Sequence, residues 1–237
     1  MIKAISYLLF YITLLIFLYL FFTPPKIAFT TSNLTILMSN NEYKNYTAIS
    51  SVSLSLLLLF GAIAYLARRY NGKKIVKILG LKGFKFSHIA IGILLFFVIF
   101  SMEIAIIIIS VISNVEINTN ANIIIENMPL WFILFTSFIA PIDEEVFFRG
   151  FLITRIEAWY KNRNSKRATL YAIVISAFIF SLFHLSYDST FEIEVIAAFI
   201  FGLLAGYVFK KTNSLYPSII AHMLVNLLAV IAITGFT

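Results

Sequence analysis

The chain has 237 residues, 61% of them hydrophobic and only 12% charged, with a mean hydropathy of +0.95. A soluble domain carries roughly 45–50% apolar and about 25% charged residues, so composition excludes an ordinary soluble domain and predicts a chain lying almost wholly in the bilayer. Cysteine is absent, which excludes thiol nucleophiles, thiolate metal sites and disulfides, and the net charge of +7 sits in loops beside apolar segments rather than in a nucleic-acid-binding patch.

Seven apolar segments approach the length of about 20 residues that spans a hydrocarbon core. They run Ile5–Phe22, Ile49–Leu66, His88–Ile112, Leu130–Leu152, Ala168–Leu185, Ile193–Phe209 and Pro217–Thr234. The expected fold class is all-α: a polytopic membrane helical bundle of about seven to eight transmembrane helices around a polar intramembrane cavity. The first segment is preceded by Lys3, but its apolar run is long for a signal peptide. Phe22-Thr23-Pro24-Pro25 lacks a small-residue cleavage site, so this helix is expected to be retained.

Charge alternates from loop to loop. Arg68, Arg69, Lys73, Lys74, Lys77, Lys82 and Lys85 follow the second span; Arg155, Lys161, Arg163, Lys166 and Arg167 follow the fourth; Lys210 and Lys211 follow the sixth. The positive-inside rule puts these loops, and the N-terminus, in the cytoplasm of a cell-membrane protein with its C-terminus outside. Glu116, Glu126, Asp188, Glu192 and Glu194 fall on the other side. The sequons at Asn33 and Asn45 are short patterns that carry little information. Gly202 and Gly206 form a small-xxx-small pair that predicts close packing of the sixth span.

The fourth span breaks the apolar pattern with Asp143-Glu144-Glu145-Val146-Phe147-Phe148-Arg149-Gly150. A charge near the centre of a spanning helix costs on the order of 2.5–3.5 kcal/mol, so these groups must face protein or a wet cavity. Glu145 and Arg149 lie four apart and share a helix face, with the acid on the favourable N-terminal side. Glu144 is rotated by about 100° and has no such cation, so it is free to act as a base on water. Pro141 removes an N–H and crowds the Ser137 carbonyl, which predicts a kink just before the acids. The competing reading of this stretch is an interhelical ion-pair staple without chemistry.

Two further polar clusters weigh against the staple. His184 stands in the fifth span, and His222 and Asn226, four apart on one face, stand in the seventh. His88, at the edge of a basic loop, reads as an interfacial residue, and Glu103 in the third span has no visible partner. The candidate catalytic set is Glu144, Glu145, Arg149, His184, His222 and Asn226. Acids, imidazoles and a carboxamide, with no thiol and no serine triad, point to activation of water: Glu144 as base, His184 orienting, His222 and Asn226 offering donors to an oxyanion. No cofactor is expected. Glu144, His184 and His222 also match a catalytic zinc set, and spacing alone does not choose between the two.

Glu144-Glu145-x-x-x-Arg149-Gly150, Phe180-x-x-x-His184 and His222-x-x-x-Asn226 stand in the order and spacing of the CAAX protease and bacteriocin-processing (CPBP, or Abi) family. Ala140-Pro141-Ile142 and Ser214-Leu215-Tyr216-Pro217-Ser218 also resemble it. The resemblance runs from about Leu130 to the C-terminus, dividing the chain into N-terminal helices (residues 1–128) and a catalytic core (residues 129–237). It implies an intramembrane endopeptidase with a cytosol-facing cavity, described in the family both as glutamate-dependent and as metal-dependent. It implies Glu144 and His184 on water and His222 and Asn226 as oxyanion donors. The implied partners are membrane lipid and a peptide or protein substrate, prenylated or not; no nucleic acid and no particular oligomer is implied.

Two other function classes fit a polar cavity. One is a non-catalytic binder or bacteriocin-immunity protein, which has no need of a base. The other is a proton-coupled transporter, which this chain lacks the second, similar half to build. One geometric difficulty stands. From the predicted cytoplasmic ends of the spans, Glu144 and His222 lie about 10–15 Å deep but His184 about 25 Å, so convergence needs the fourth or fifth helix to tilt, kink or extend into the cytosol.

Overall fold

Apolar runs that cannot hydrogen-bond to lipid must satisfy their backbones internally, and here every regular element among the described residues is helical. The computed structural model describes residues 5, 7–15, 41–113, 129–184 and 191–234. Within them α1 covers residues 7–15, α2 Asn41–Arg69, α3 Gly72–Ile78 and α4 Phe86–Ile112. Helix α5 runs without a break through five consecutive segments from Leu130 to Lys161; α6 is Ala168–Phe183, α7 Phe191–Thr212 and α8 Tyr216–Thr234. Three helices are long and apolar enough to cross a membrane over Ala48–Arg69, Phe86–Ile109 and Val195–Thr212; α6 and α8 are shorter apolar helices. Apolar side chains such as Leu94, Ile108 and Leu170 point outward. The protein is an all-α membrane helical bundle. The outer-loop acids Glu116, Glu126 and Asp188 and the sequon at Asn33 lie outside the described residues.

The interior forms two stacked layers. Leu66, Leu79, Val146, Ile153, Ile173, Phe209, Leu215 and Ile219 make the layer nearer the basic loops. Leu95, Ile99, Phe148, Phe180, Phe201 and Ala221 make the deeper one. Gly202 and Gly206 lie on the α6–α7 contact: a Cβ on Gly202 would sit 2.8 Å from the Ala177 Cα, and one on Gly206 3.0 Å from an Ile173 methyl. The α3–α4 connection is clasped to the start of α8. Gly80, at φ +69°, accepts from the Leu215 N–H at 3.0 Å, and the Tyr216 hydroxyl donates to the Leu81 carbonyl at 2.8 Å. His88 belongs to this clasp. It is buried and stacked on Tyr216 at 5.9 Å rather than solvated at the interface, because the aromatic cluster with Phe84 covers it.

The predicted end of span four at Leu152 is corrected by the structure: α5 continues to Lys161. Thr154–Lys161 keeps apolar Ile156 and Tyr160 on the side that meets α6 while Lys161 and Trp159 face out, so the helix continues past the apolar run. The α5–α6 hairpin therefore turns nine residues past the predicted end of span four, and this removes the depth difficulty. From the turn, Glu144 lies seventeen residues back along α5 and His184 sixteen residues along α6, about 25 Å in each case. The two side chains are level.

Candidate active site

The acids sit on a helix that changes winding twice. Phe135–Ile139 is π-helical, Ala140–Glu144 returns to α, and Glu145–Ile153 is π-helical again. The departure predicted at Pro141 takes this form. The Ala140 N–H reaches back to the Phe135 carbonyl, so the Thr136 carbonyl faces Pro141, which has no N–H to give. That orphan is taken up from outside: the Asn226 amide donates to it at 2.8 Å. In the second π segment the Ser176 hydroxyl similarly donates to the Phe148 carbonyl at 2.9 Å. Side chains from α6 and α8 thus satisfy a backbone that wide winding leaves short of partners.

Glu145 and Arg149 pair as their spacing predicts, at 3.0 Å and with side chains 0% and 1% exposed. The contact lies off the hydrogen-bonding direction, leaving both guanidinium termini without an acceptor, so the rings share in holding the cation. Arg149 lies 4.1 Å from the Phe180 centroid and 5.1 Å from that of Phe201, a desolvated geometry in which a cation–π contact is worth about 2 kcal/mol. Glu145 also accepts from His222 Nδ1 at 3.2 Å. A carboxylate only accepts, so Nδ1 carries the proton, and His222 Nε2 faces Glu144 Oε2 at 3.8 Å. The paired acid orients an imidazole toward the unpaired acid.

Glu144 has no cation of its own, and its Oε2 is buried without a hydrogen-bond partner. Together with His184 it lines a cavity of about 210 Å³. His184 ends α6; its Nδ1 donates to the Phe180 carbonyl at 3.0 Å, and its ring lies tilted against that of Phe180 with centroids 4.4 Å apart. That leaves Nε2 as the basic nitrogen. Phe180 also touches the His222 ring at 5.9 Å, so one aromatic side chain spaces Arg149, His184 and His222. Five of the six candidate side chains gather around it and the cavity wall. Asn226 reaches the same region of α5 through Thr136. Glu103 lies elsewhere, beside Ala197 and Ile200.

Sequence reasoning missed two residues here. Asp143 is buried, lines the cavity and accepts from the Ser55 hydroxyl at 3.3 Å. Its place in the acid run was a usable signal; Ser55, 88 residues away on α2, had none. Among the described residues no three His, Asp or Glu side chains are grouped as a metal-binding set.

No curated protein and no solved structure matches the chain. Residues 126–228 match the family model of the type II CAAX prenyl endopeptidase, Rce1-like proteins, which agrees with the resemblance carried by the three motifs and takes in every candidate catalytic residue. Over residues 126–228, just under half of its length, this chain is therefore similar to the Rce1-like type II CAAX prenyl endopeptidases.

Proposed function

We propose that the protein is an intramembrane endopeptidase that hydrolyses peptide bonds of membrane-associated peptides or proteins, prenylated or not, with a water activated by Glu144 and His184. One observation carries this reading: an acid without a cation and an imidazole with a free basic nitrogen line the same cavity, level on two antiparallel helices. Glu144 takes a proton from water, and the hydroxide oxygen bonds to the scissile carbonyl carbon. The developing oxyanion accepts from the second N–H of Asn226 and from Nε2–H of His222, which for this step carries a proton on each ring nitrogen, each such donor being worth about 10²–10³ in rate. The C–N bond then breaks, and the proton held on Glu144 returns to the leaving amine. Glu145 holds its proton on His222 Nδ1 and stays ionised beside Arg149, so the pair acts through His222 rather than on substrate.

The mechanism needs no metal, and a chelator is expected to leave activity unchanged. By the positive-inside rule the three basic loops favour a cytoplasmic α5–α6 turn and N-terminus, with substrate entering from that side or from the lipid. The family match and the full donor set favour an enzyme over an immunity-type binder using the same cavity. Purified protein in lipid vesicles, incubated with membrane proteins of its host, is the test. New termini should appear with the wild type and vanish with Glu144→Ala and His184→Ala. Equal peptide profiles for wild type and Glu144→Ala would overturn the reading in favour of the binder.

A further inference from the structure

The cavity has a wall that the family match does not reach. Ser51, Leu54, Ser55 and Leu58 of α2 line it opposite Glu144 and His184, and these positions are one helix face at the i, i+3, i+4, i+7 spacing. The remaining apolar lining is Phe147, Phe148 and Phe183. A polar contact ties the wall to the helix that carries Glu144, Ser55 Oγ to Asp143 Oδ2 at 3.3 Å, and Asp143 is the residue next to Glu144. A cavity of about 150 Å³ holds a benzene molecule, so one of about 210 Å³ takes a single side chain and cannot enclose a long lipid chain.

We propose that this face of α2 is the specificity wall of the protein: it receives one medium-sized apolar side chain of a peptide adjacent to the scissile bond, with Leu54 and Leu58 setting its size. The inference rests on the endopeptidase reading and adds the chemistry of the substrate position. Asp143 and Ser55 are positioning residues in it. They fix the spacing between wall and base.

Two readouts test the wall. In the first, quenched hydrophobic peptides differing only as Ala, Leu or Phe beside the cleaved bond are compared by kcat/KM. Leu54→Ala and Leu58→Ala are expected to shift the Phe-to-Leu ratio toward Phe by about tenfold or more, the size of discrimination that a methylene or two in an apolar pocket supplies. Leu58→Phe should shift it toward Ala. The second readout does not need catalysis. Because the chain has no cysteine, Leu58→Cys or Ser51→Cys in a Glu144→Ala background is a sole thiol, and its alkylation by a small maleimide reports occupancy. The Leu peptide should slow alkylation, and the Ala peptide should do so less. Peptide ratios that stay fixed in variants that still cleave, together with alkylation indifferent to peptide, would overturn the wall. Absence of cleavage by the wild type with protection intact would sink the endopeptidase reading and keep the wall as a binding surface. Absence of both would remove both.

Discussion

The side-chain amide of Asn226 donates to the backbone carbonyl of Thr136 at 2.8 Å, tying α8 to α5 at the one carbonyl that Pro141 leaves without a helical partner. Asn226→Ala strands that carbonyl, which costs about 1–3 kcal/mol of stability. Pro141→Ala restores an N–H and lets the helix close on itself, so in that background Asn226→Ala should cost about 1 kcal/mol or less. Unfolding of the four proteins in detergent micelles measures the coupling. Activity in the same cycle separates the two roles of the amide. A clamp alone is rescued by Pro141→Ala; an oxyanion donor is not, and loses about 10²–10³ in kcat whichever residue stands at position 141.

Arg149 is held by an acid on one side and aromatic faces on the other, wholly out of solvent. Arg149→Leu leaves Glu145 as a buried charge and should destabilise by about 3–5 kcal/mol. Adding Glu145→Gln should recover much of that loss, because the stranded charge is gone. It should not recover activity, since His222 Nδ1 then faces an amide in place of a carboxylate. Chemical unfolding in micelles beside a peptide-cleavage assay checks both halves. Recovery of stability and activity together would show that the pair only staples the helix.

How much of this was legible in the sequence follows from range. The Glu145–Arg149 pair is four residues long, and helical spacing alone predicted it. His184 and His222 stood out because imidazoles are rare in apolar spans, and the structure brings both against Phe180. The end of α5 was misread because Thr154–Lys161 is polar enough to look like loop, although Ile153, Ile156 and Tyr160 keep a helical stripe. The two π segments have no signature beyond Pro141, since widening one turn depends on neighbours such as Asn226 and Ser176 donating to the carbonyls it exposes. The Ser55–Asp143 contact joins residues whose approach only tertiary packing decides.

At Gly202 α6 and α7 pack closely, and the two helices bring Phe180 and Phe201 side by side against Arg149. A methyl at this position would meet the Ala177 Cα at 2.8 Å, an atom of the backbone that cannot step aside. Gly202→Ala should therefore destabilise by about 1–3 kcal/mol, against the usual gain from replacing a helical glycine. It should also lower kcat with little change in KM, because the rings that space Arg149, His184 and His222 move apart. Gly83→Ala is the control. No heavy atom lies within 4 Å of its added methyl, so packing is not altered and only the positive φ of 76° opposes it. A Gly202→Ala protein as active as the wild type would separate the site from the α6–α7 packing.

Near the turn of the α5–α6 hairpin, Glu157 holds α5 to both α6 and α7. Burial alone would raise its carboxyl, but Lys161 at 2.8 Å, Lys210 at 2.6 Å and the Thr169 hydroxyl at 2.7 Å outweigh burial and pull it down to about 2. The folded value lies below the ordinary 4.5, so the folded state binds the proton less readily than the unfolded chain. Its contribution is full above pH 4.5 and is lost as pH falls from there through about 2. Glu157→Gln lacks the charge at every pH. Its stability deficit relative to the wild type should be constant above pH 4.5 and shrink steadily below it, as followed by thermal unfolding in micelles across that range. Lys210→Met should show the same convergence, reduced because Lys161 and Thr169 remain. A deficit that stays constant down to pH 2 would mean that the three donors do not stabilise the ionised carboxylate, and that the hairpin is held to α7 by packing alone.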